Sequence, residues 1–324
     1  MPGVPQPGVA VAAGNTMAVA FSGGRDSLAL LHASCRAAQA LGLQVVALHI
    51  HHGLLPEADV WLRRAQRLCT RWRRRGWPLQ LRWARLTGQP APGDSLEAWA
   101  RAGRHAGLAR LAHEAGASLL LLAQHRRDQA ETFVLQALRG GAPAGLSAMP
   151  RQIERDSLVW ARPWLDKPRS AIEAYLRRHR LQPVDDPSNA DVRLARNRLR
   201  LQVWPALEQA FAHAETSLAA AALRAQEARA ALDELAALDL APLVDGDGRL
   251  AVAGWRCLSA ARQANALRAW WAAQAGHSAP QALVSRLLAE VRSKGVARWP
   301  AGSGWWCAMA GGRLGVVAPA ERAG

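Results

Sequence analysis

Between Met17 and Ala161, short apolar runs alternate with stretches of helical character, and this alternation limits the fold more than any other feature of the chain. Met17–Phe21 has the length of a strand and is stopped by Ser22-Gly23-Gly24. Helical spacing follows, with Leu28, Leu31 and Cys35 on one face. A second strand is expected over Gln44–Ile50, a helix over about Glu57–Arg75, and a short strand near Leu79–Trp83. Gly93-Asp94-Ser95 offers an N-cap for a helix running to about Ala115. Ser118–Ala123 is almost continuously apolar, as befits a parallel strand buried on both faces. Asp128–Leu138 reads as the next helix, closed by Gly140-Gly141, and Leu158–Ala161 as a last strand. Strands spaced by helices in this way predict a doubly wound, mostly parallel α/β sheet. Ligands of such sheets sit at the carboxyl ends of the strands, where Ser22, His49 and Gln124–Asp128 all fall.

Beyond Pro205 the pattern changes. Residues from about Ala214 to Leu238 read as one long, solvated, Ala-rich helix. A Trp-rich stretch follows and ends in the strand-like Gly312–Val317, which suggests a smaller, mainly helical domain with a hairpin-like end. The expected layout is a flexible extension over 1–16, a catalytic domain over 17–212 and a smaller domain over 213–324. The true start is either Met1 or Met17.

The sharpest local signal is a strand, then Ser22-Gly23-Gly24-Arg25-Asp26-Ser27, then a helix. The glycines let the backbone turn tightly and approach a ligand, and the free amides at the helix start attract an anion. Ser22 and Ser27 add hydroxyl donors, and the Walker A pattern is absent. A second signal is Gln124 to Thr132, in which Asp128 and Glu131 lie three residues apart on one helical face. Spacing alone leaves three readings open for them: holding Mg²⁺ against phosphates, orienting an amine, or a solvated first helical turn. A third is Asp185-Asp186-Pro187-Ser188-Asn189, followed by Arg193, Arg196, Asn197, Arg198 and Arg200. Its arginines form either a basic stripe for RNA phosphates or an ordinary wet face.

The other polar clusters are weaker. On a strand, His49 and His51 share a face while His52 points away, a poor metal set. The tryptophans are read as core, and Arg71–Arg75 as a wet helix end rather than a binding patch. The net charge of +16 favours a polyanionic partner, nucleic acid before an anionic membrane surface; with only two lysines, compositional bias toward arginine is the competing cause. The four cysteines form no C-x-x-C pair and suit a reducing compartment. With no basic leader and no apolar run of membrane-spanning length, a cytoplasmic protein is expected, with no membrane partner.

Taken together and in order, these stretches resemble the tRNA(Ile)-lysidine synthetase family of the PP-loop ATP pyrophosphatase superfamily. The resemblance rests on Ser22–Ser27, His49-Ile50-His51-His52-Gly53-Leu54, Glu97–Arg101, Gln124–Thr132, Asp186–Asn189 and Arg196–Arg200. It covers roughly Met17–Leu207 and continues more faintly through Leu267-Arg268-Ala269-Trp270, which resembles the family's substrate-binding module and implies that 213–324 binds tRNA or substrate. It implies a Rossmann-like PP-loop fold and a carbon–nitrogen ligase. Such an enzyme uses ATP to adenylate C2 of the wobble cytidine in an isoleucine tRNA with a CAU anticodon. Free L-lysine then displaces AMP. By the same resemblance, Ser22–Ser27 hold the pyrophosphate portion of ATP, and Asp26, Asp128 and Glu131 are catalytic. Asp26 and Asp128 are the candidate ligands of Mg²⁺, and Arg193–Arg200 grip the tRNA. The sequence leaves the oligomeric state open between monomer and homodimer.

Three residues depart from the family pattern. Gln124 replaces a His, Arg127 replaces the first Asp of a pair, and Leu55 replaces an Arg. Arg127 is expected either to contact phosphate or to weaken the metal site. The competing readings are a tRNA-thiolating PP-loop enzyme, a PP-loop amidotransferase-type ligase and a non-catalytic RNA-binding protein.

Overall fold

The computed structural model describes residues 15–51, 53, 57–90, 96–141, 143–185, 187–292 and 295–319. Outside it lie residues 1–14 of the expected extension, His52, Leu54, Leu55, the proposed cap Gly93-Asp94-Ser95, Asp186 and Lys294, together with the side chains of Glu97 and Ser188. Two compact units form, one up to Arg224 and one from Ala225.

In chain order the first unit contains β1 (Thr16–Ala20), α1 (Arg25–Leu41), β2 (Gln44–His51), α2 (Ala58–Arg74), β3 (Leu79–Arg85) and α3 (Leu96–Glu114). It continues with β4 (Leu119–Leu121), α4 (Arg126–Leu138), α5 (Pro143–Leu146), β5 (Gln152–Arg155), β6 (Leu158–Ala161) and α6 (Arg169–Arg178). After a 3-10 turn at Pro187–Ala190 come α7 (Ala195–Arg198), a π-helical stretch at Leu199–Val203, α8 (Trp204–Ala210) and the start of α9 (Ala214–Leu240).

The sheet runs β3-β2-β1-β4-β6-β5 and is parallel except for the edge strand β5, which pairs antiparallel with β6. The doubly wound α/β expectation therefore holds. The β5–β6 hairpin and α6 were not anticipated from the sequence. The exposed alternation of Gln152, Glu154 and Arg155 has too little apolar content to announce a strand.

Strand alternation sorts the core. Met17 and Val19 of β1 point to one face and pack with α1, α2 and α6, while Ala18 points to the other, where Leu108, Leu111 and Ala112 of α3 cover it. The expected face of α1 is buried: Leu28, Leu31 and Cys35 are at most 2% exposed. At its end Gly42 adopts φ +68°, the left-handed conformation that closes helices most cheaply with glycine. Chain order reverses between β1 and β4, so the loops leaving these two strands flank one crevice at the carboxyl edge.

The second unit holds the rest of α9, β7 (Leu250–Ala251), α10 (Val252–Arg256), α11 (Ala260–Ala275), α12 (Gln281–Glu290), β8 (Ala297–Gly302), β9 (Trp305–Ala310) and β10 (Arg313–Val317). The expected hairpin-like end is a four-stranded antiparallel sheet of order β7-β10-β9-β8. Trp255, Trp270, Trp271 and Trp299 are buried as core, and three of them satisfy their indole N–H. Trp255 donates to Gln263 O at 3.0 Å, Trp270 to Gly248 O at 2.8 Å and Trp299 to Glu290 Oε2 at 2.7 Å. Trp306 is instead an exposed residue on β9.

Candidate active site

The β1–α1 loop is shaped by a network of its own. Gly23 adopts φ +89°, and an added Cβ there would stand 3.3 Å from Val184 Cγ2. The Val184 N–H donates to Gly23 O at 2.9 Å, which ties the turn to the segment after α6. Ser22 Oγ accepts from the Gly24 N–H at 3.3 Å and lies 3.1 Å from Ser27 Oγ, whose hydroxyl donates to Gly24 O at 3.0 Å. Gly24 caps α1 in an extended conformation with no side-chain hydrogen bond to the helix start. The first amides of α1 therefore face the crevice as an anion site. The Arg25 side chain turns outward and donates to Glu173 Oε1 at 3.0 Å, leaving only its backbone at the loop.

Asp26 is the loop's carboxylate. Its Oδ1 is buried with no hydrogen-bond partner among the described residues. Burial raises its pKa, and the neighbouring Asp128 adds to that, against the opposing pull of His125, Arg169 and Arg25.

The second element enters from β4. His125 caps α4 in an extended conformation, and its N–H donates to Asp128 Oδ2 at 3.1 Å. The His125 ring stands between the two acids: Nε2 is 3.8 Å from Asp26 Oδ2 and 3.5 Å from Asp128 Oδ2. Sequence reasoning passed over His125 as a site residue, although it lies four positions past the end of β4 and precedes the carboxylate pair. Gln124 lies in the same turn with a buried Oε1 that has no hydrogen-bond partner among the described residues. The Gln129 amide fixes the other side of α4 by exchanging hydrogen bonds with the Met149 backbone, at 2.9 and 3.1 Å.

Asp128 and Glu131 share a face of α4, and Arg200 lies on it. Its Nε donates to Glu131 Oε1 at 2.9 Å and its Nη2 to Glu131 Oε2 at 2.8 Å, a two-pronged pair with a fully buried carboxylate. The same Nη2 reaches Asp128 Oδ1 at 3.2 Å. Burial opposes the Arg200 charge, but Glu131, Asp128 and Asp26 outweigh it and hold the guanidinium pKa above its ordinary value. Arg196 Nη2 donates to Thr132 Oγ1 at 2.6 Å. Thus Arg196 and Arg200 of the expected basic stripe turn toward α4. Arg193, 88% exposed, grips Asp191, and Arg198 donates to the backbone of Val192 at 3.2 Å. Asn197 is buried and donates to Asp191 O at 3.1 Å.

Arg127 neither enters this group nor touches the loop. It stacks over Trp204 with its guanidinium carbon 4.4 Å from the ring centroid, donates to Glu215 Oε2 at 2.8 Å and pairs with Glu208. Arg126 donates to the other Glu215 oxygen at 2.8 Å. Both arginines thereby fasten the start of α4 to α8 and α9. His49 and His51 are engaged within the fold, His49 Nδ1 with Phe21 O at 2.9 Å and His51 Nε2 with Asp59 Oδ1 at 2.9 Å. Among the described residues no three His, Cys, Asp or Glu side chains are grouped as metal ligands.

Mg²⁺ does not need such a group, because it binds through one or two carboxylates together with substrate phosphates. The orphaned Asp26 Oδ1 and the nearby Asp128 carboxylate, beside free helix amides, fit that requirement. Among the described residues no helix is long and apolar enough to cross a membrane.

Residues 7–207 match the PP-loop domain family, and residues 250–314 match the TilS substrate binding domain. A tRNA(Ile)-lysidine synthase of Ralstonia nicotianae is 45% identical over 281 residues, which cover 86% of this chain and 58% of the relative. The enzyme of the same name from Polaromonas naphthalenivorans is 41% identical, covering 78% of this chain and 74% of the relative. That of Bordetella pertussis is 40% identical, covering 85% and 86%. Among solved structures, the U34-tRNA thiolase NcsA of Methanococcus maripaludis superposes with a TM-score of 0.56 at 14% identity, covering 65% of this chain and 72% of that one, a likeness of fold. The chain spans little more than half of the Ralstonia relative and most of the other two, and it belongs to the tRNA(Ile)-lysidine synthase family.

Proposed function

We propose that this chain is a cytoplasmic carbon–nitrogen ligase that makes lysidine in an isoleucine tRNA with a CAU anticodon. The observation that carries the reading is the meeting of Asp26, His125 and Asp128 at the unpaired amides of α1. In the first step the C2 oxygen of the wobble cytidine attacks the α-phosphorus of ATP, and the bond to pyrophosphate breaks. In the second the ε-amine of free lysine attacks C2, and AMP leaves with the former carbonyl oxygen.

Each step assigns work to particular residues. The amides following Gly24, with Ser22 and Ser27, receive the departing pyrophosphate, whose charge they offset without reorganising. Mg²⁺ held by Asp26 and Asp128 would supply further charge neutralisation at the phosphates. A lysine amine has a free pKa of about 10.4 and must shed a proton before attack. Asp128 accepts and places that amine, while Glu131, buried with both oxygens on Arg200, acts through that arginine, which fixes the Asp128 carboxylate. Arg193 and Arg198, whose side chains lie at the surface, contact the tRNA backbone.

The test is transfer of radiolabelled lysine, with ATP and Mg²⁺, to a CAU transcript, with a wobble-U transcript as control. Label confined to the CAU transcript and lost in Asp128→Ala supports the reading. AMP formation without lysine transfer would assign a different acceptor to the same fold. A thiolation chemistry finds little support in the thiols: Cys35, Cys69 and Cys307 are buried and pushed up to about 12 by desolvation, and the exposed Cys257 stands apart from the loop in sequence, with no cysteine two or three positions from it.

A further inference from the structure

Helix α2 carries a second basic feature that the active-site reading does not use. It and its cap contain seven arginines between Arg63 and Arg75. Against them stand two acids, the N-cap Glu57 and Asp59, and Asp59 is already engaged by His51 and Arg85 at 2.9 Å each. Arg64 is tied to the backbone carbonyls of Gln182 and Pro183, at 3.3 Å each. The other six, Arg63, Arg67, Arg71, Arg73, Arg74 and Arg75, are exposed and form no ion pair or side-chain hydrogen bond among the described residues.

The arrangement around the helix is directional. A cleft of about 660 Å³ runs from Phe21 and Gly23 at the phosphate loop, past Arg64, Arg67 and Arg71, to Arg75. On the opposite flank a second cleft of about 570 Å³ is walled by Arg63, Arg67, Arg71 and Arg74. Because β2 and β3 are parallel, α2 leads from the carboxyl edge of the sheet back to its amino edge. Arg64, Arg67, Arg71 and Arg75 recur about once per helical turn, and the eleven positions from the first to the last span ~16 Å. Positive charges repeated over that length suit a chain with one negative charge per nucleotide better than a compact anion. Unit 1 as a whole is basic: it holds 30 of the 41 basic and 17 of the 25 acidic residues, hence +13 of the net +16.

We infer that the arginine ridge of α2 is a docking track for the phosphodiester backbone of the substrate RNA, leading away from the phosphate loop. This rests on the reading of the substrate as RNA. Guanidinium groups supply the sequence-independent part of such binding.

The test uses the full chain and the triple variant Arg67→Gln/Arg71→Gln/Arg74→Gln. Binding of the CAU transcript is measured across a salt series, alongside steady-state lysine transfer. Three lost phosphate contacts lower the slope of log Kobs against log salt by about 2–3. KM for RNA rises tenfold or more, while kcat at saturating RNA and KM for ATP stay unchanged. A charge-matched control, Arg110→Gln/Arg139→Gln/Arg229→Gln, retains the wild-type slope. The inference is overturned if the ridge variant keeps the wild-type slope and KM, or if the control falls equally. It is also overturned if the variant loses only binding of inorganic pyrophosphate or of phosphatidylserine vesicles. If the wild type binds RNA with a slope that the variant flattens, yet makes no lysidine, the ridge stands and the proposed activity fails.

Discussion

Replacing Arg200 with methionine isolates the interaction that organises the carboxylates of α4. Glu131 is fully buried and both its oxygens are taken by Arg200, at 2.9 and 2.8 Å. Removing one member of a buried pair leaves an uncompensated charge, at a cost of about 3–5 kcal/mol. The Arg200 side chain is 28% exposed, so water partly replaces it, and the lower end, about 3 kcal/mol, is expected. Replacing both partners, as Arg200→Met/Glu131→Leu, removes the stranded charge and returns stability to within about 1–2 kcal/mol of wild type. The coupling energy between the two sites is then about 2 kcal/mol or more. Urea unfolding followed by far-UV circular dichroism on the four members of the cycle gives this number. The double variant stays folded and transfers no lysine, which separates stability from chemistry. The reasoning is refuted if Arg200→Met lies within about 0.5 kcal/mol of wild type, or if the double variant is as unstable as the sum of the singles.

Three further outcomes follow from the same geometry. Arg127→Ala loses the Trp204 stack and the Glu215 and Glu208 pairs, so stability falls by about 1–3 kcal/mol while the Kd for ATP is unchanged; a large rise in that Kd would mean Arg127 contacts phosphate after all. Gly23→Ala forces a side chain into φ +89° against Val184, costing on the order of 1–3 kcal/mol, and calorimetry should show weaker ATP binding. His32 is lowered from 6.5 to about 4 by burial, then by His179 and Arg36, so its folded ring stays neutral where the unfolded ring takes a proton. The unfolded state binds more protons across that window, so stability drops as pH falls from about 6.5 toward 4. His105, held near 4 mainly by burial, acts in the same direction. Urea midpoints at neutral and mildly acidic pH should therefore differ less in His32→Gln than in wild type.

The sheet was legible because its strands are either buried on both faces or bounded by glycine turns. Val45–Leu48 and Leu119–Leu121 have no polar residue to confuse the period, and Leu158–Ala161 is a strand at its expected bounds. The phosphate loop was legible because a glycine pair between strand and helix has few structural alternatives. What the sequence hid depends on partners far along the chain. The inward turn of Arg200 onto Glu131 joins residues 69 positions apart, and Arg127 meets Glu215 across 88. A helical wheel places Arg193, Arg196 and Arg200 on a common stripe, but it cannot tell which of them has a buried acid opposite. The position of His125 between Asp26 and Asp128 likewise exists only once β1 and β4 are neighbours. The hairpin β5–β6 turns through Asp156 and Ser157, both at positive φ without glycine, so the usual turn signal was missing.

The most direct test of an AMP-forming activation at this loop omits lysine. Wild-type protein is incubated with Mg²⁺, ATP labelled at the α-phosphate and the CAU transcript, and the RNA is then isolated under denaturing conditions. The account predicts label on the RNA, at its wobble cytidine, discharged as AMP when lysine is added, and absent with the wobble-U transcript. Lysine joined to the RNA with no α-phosphate label ever reaching it, or label on the protein instead of the RNA, would contradict the account.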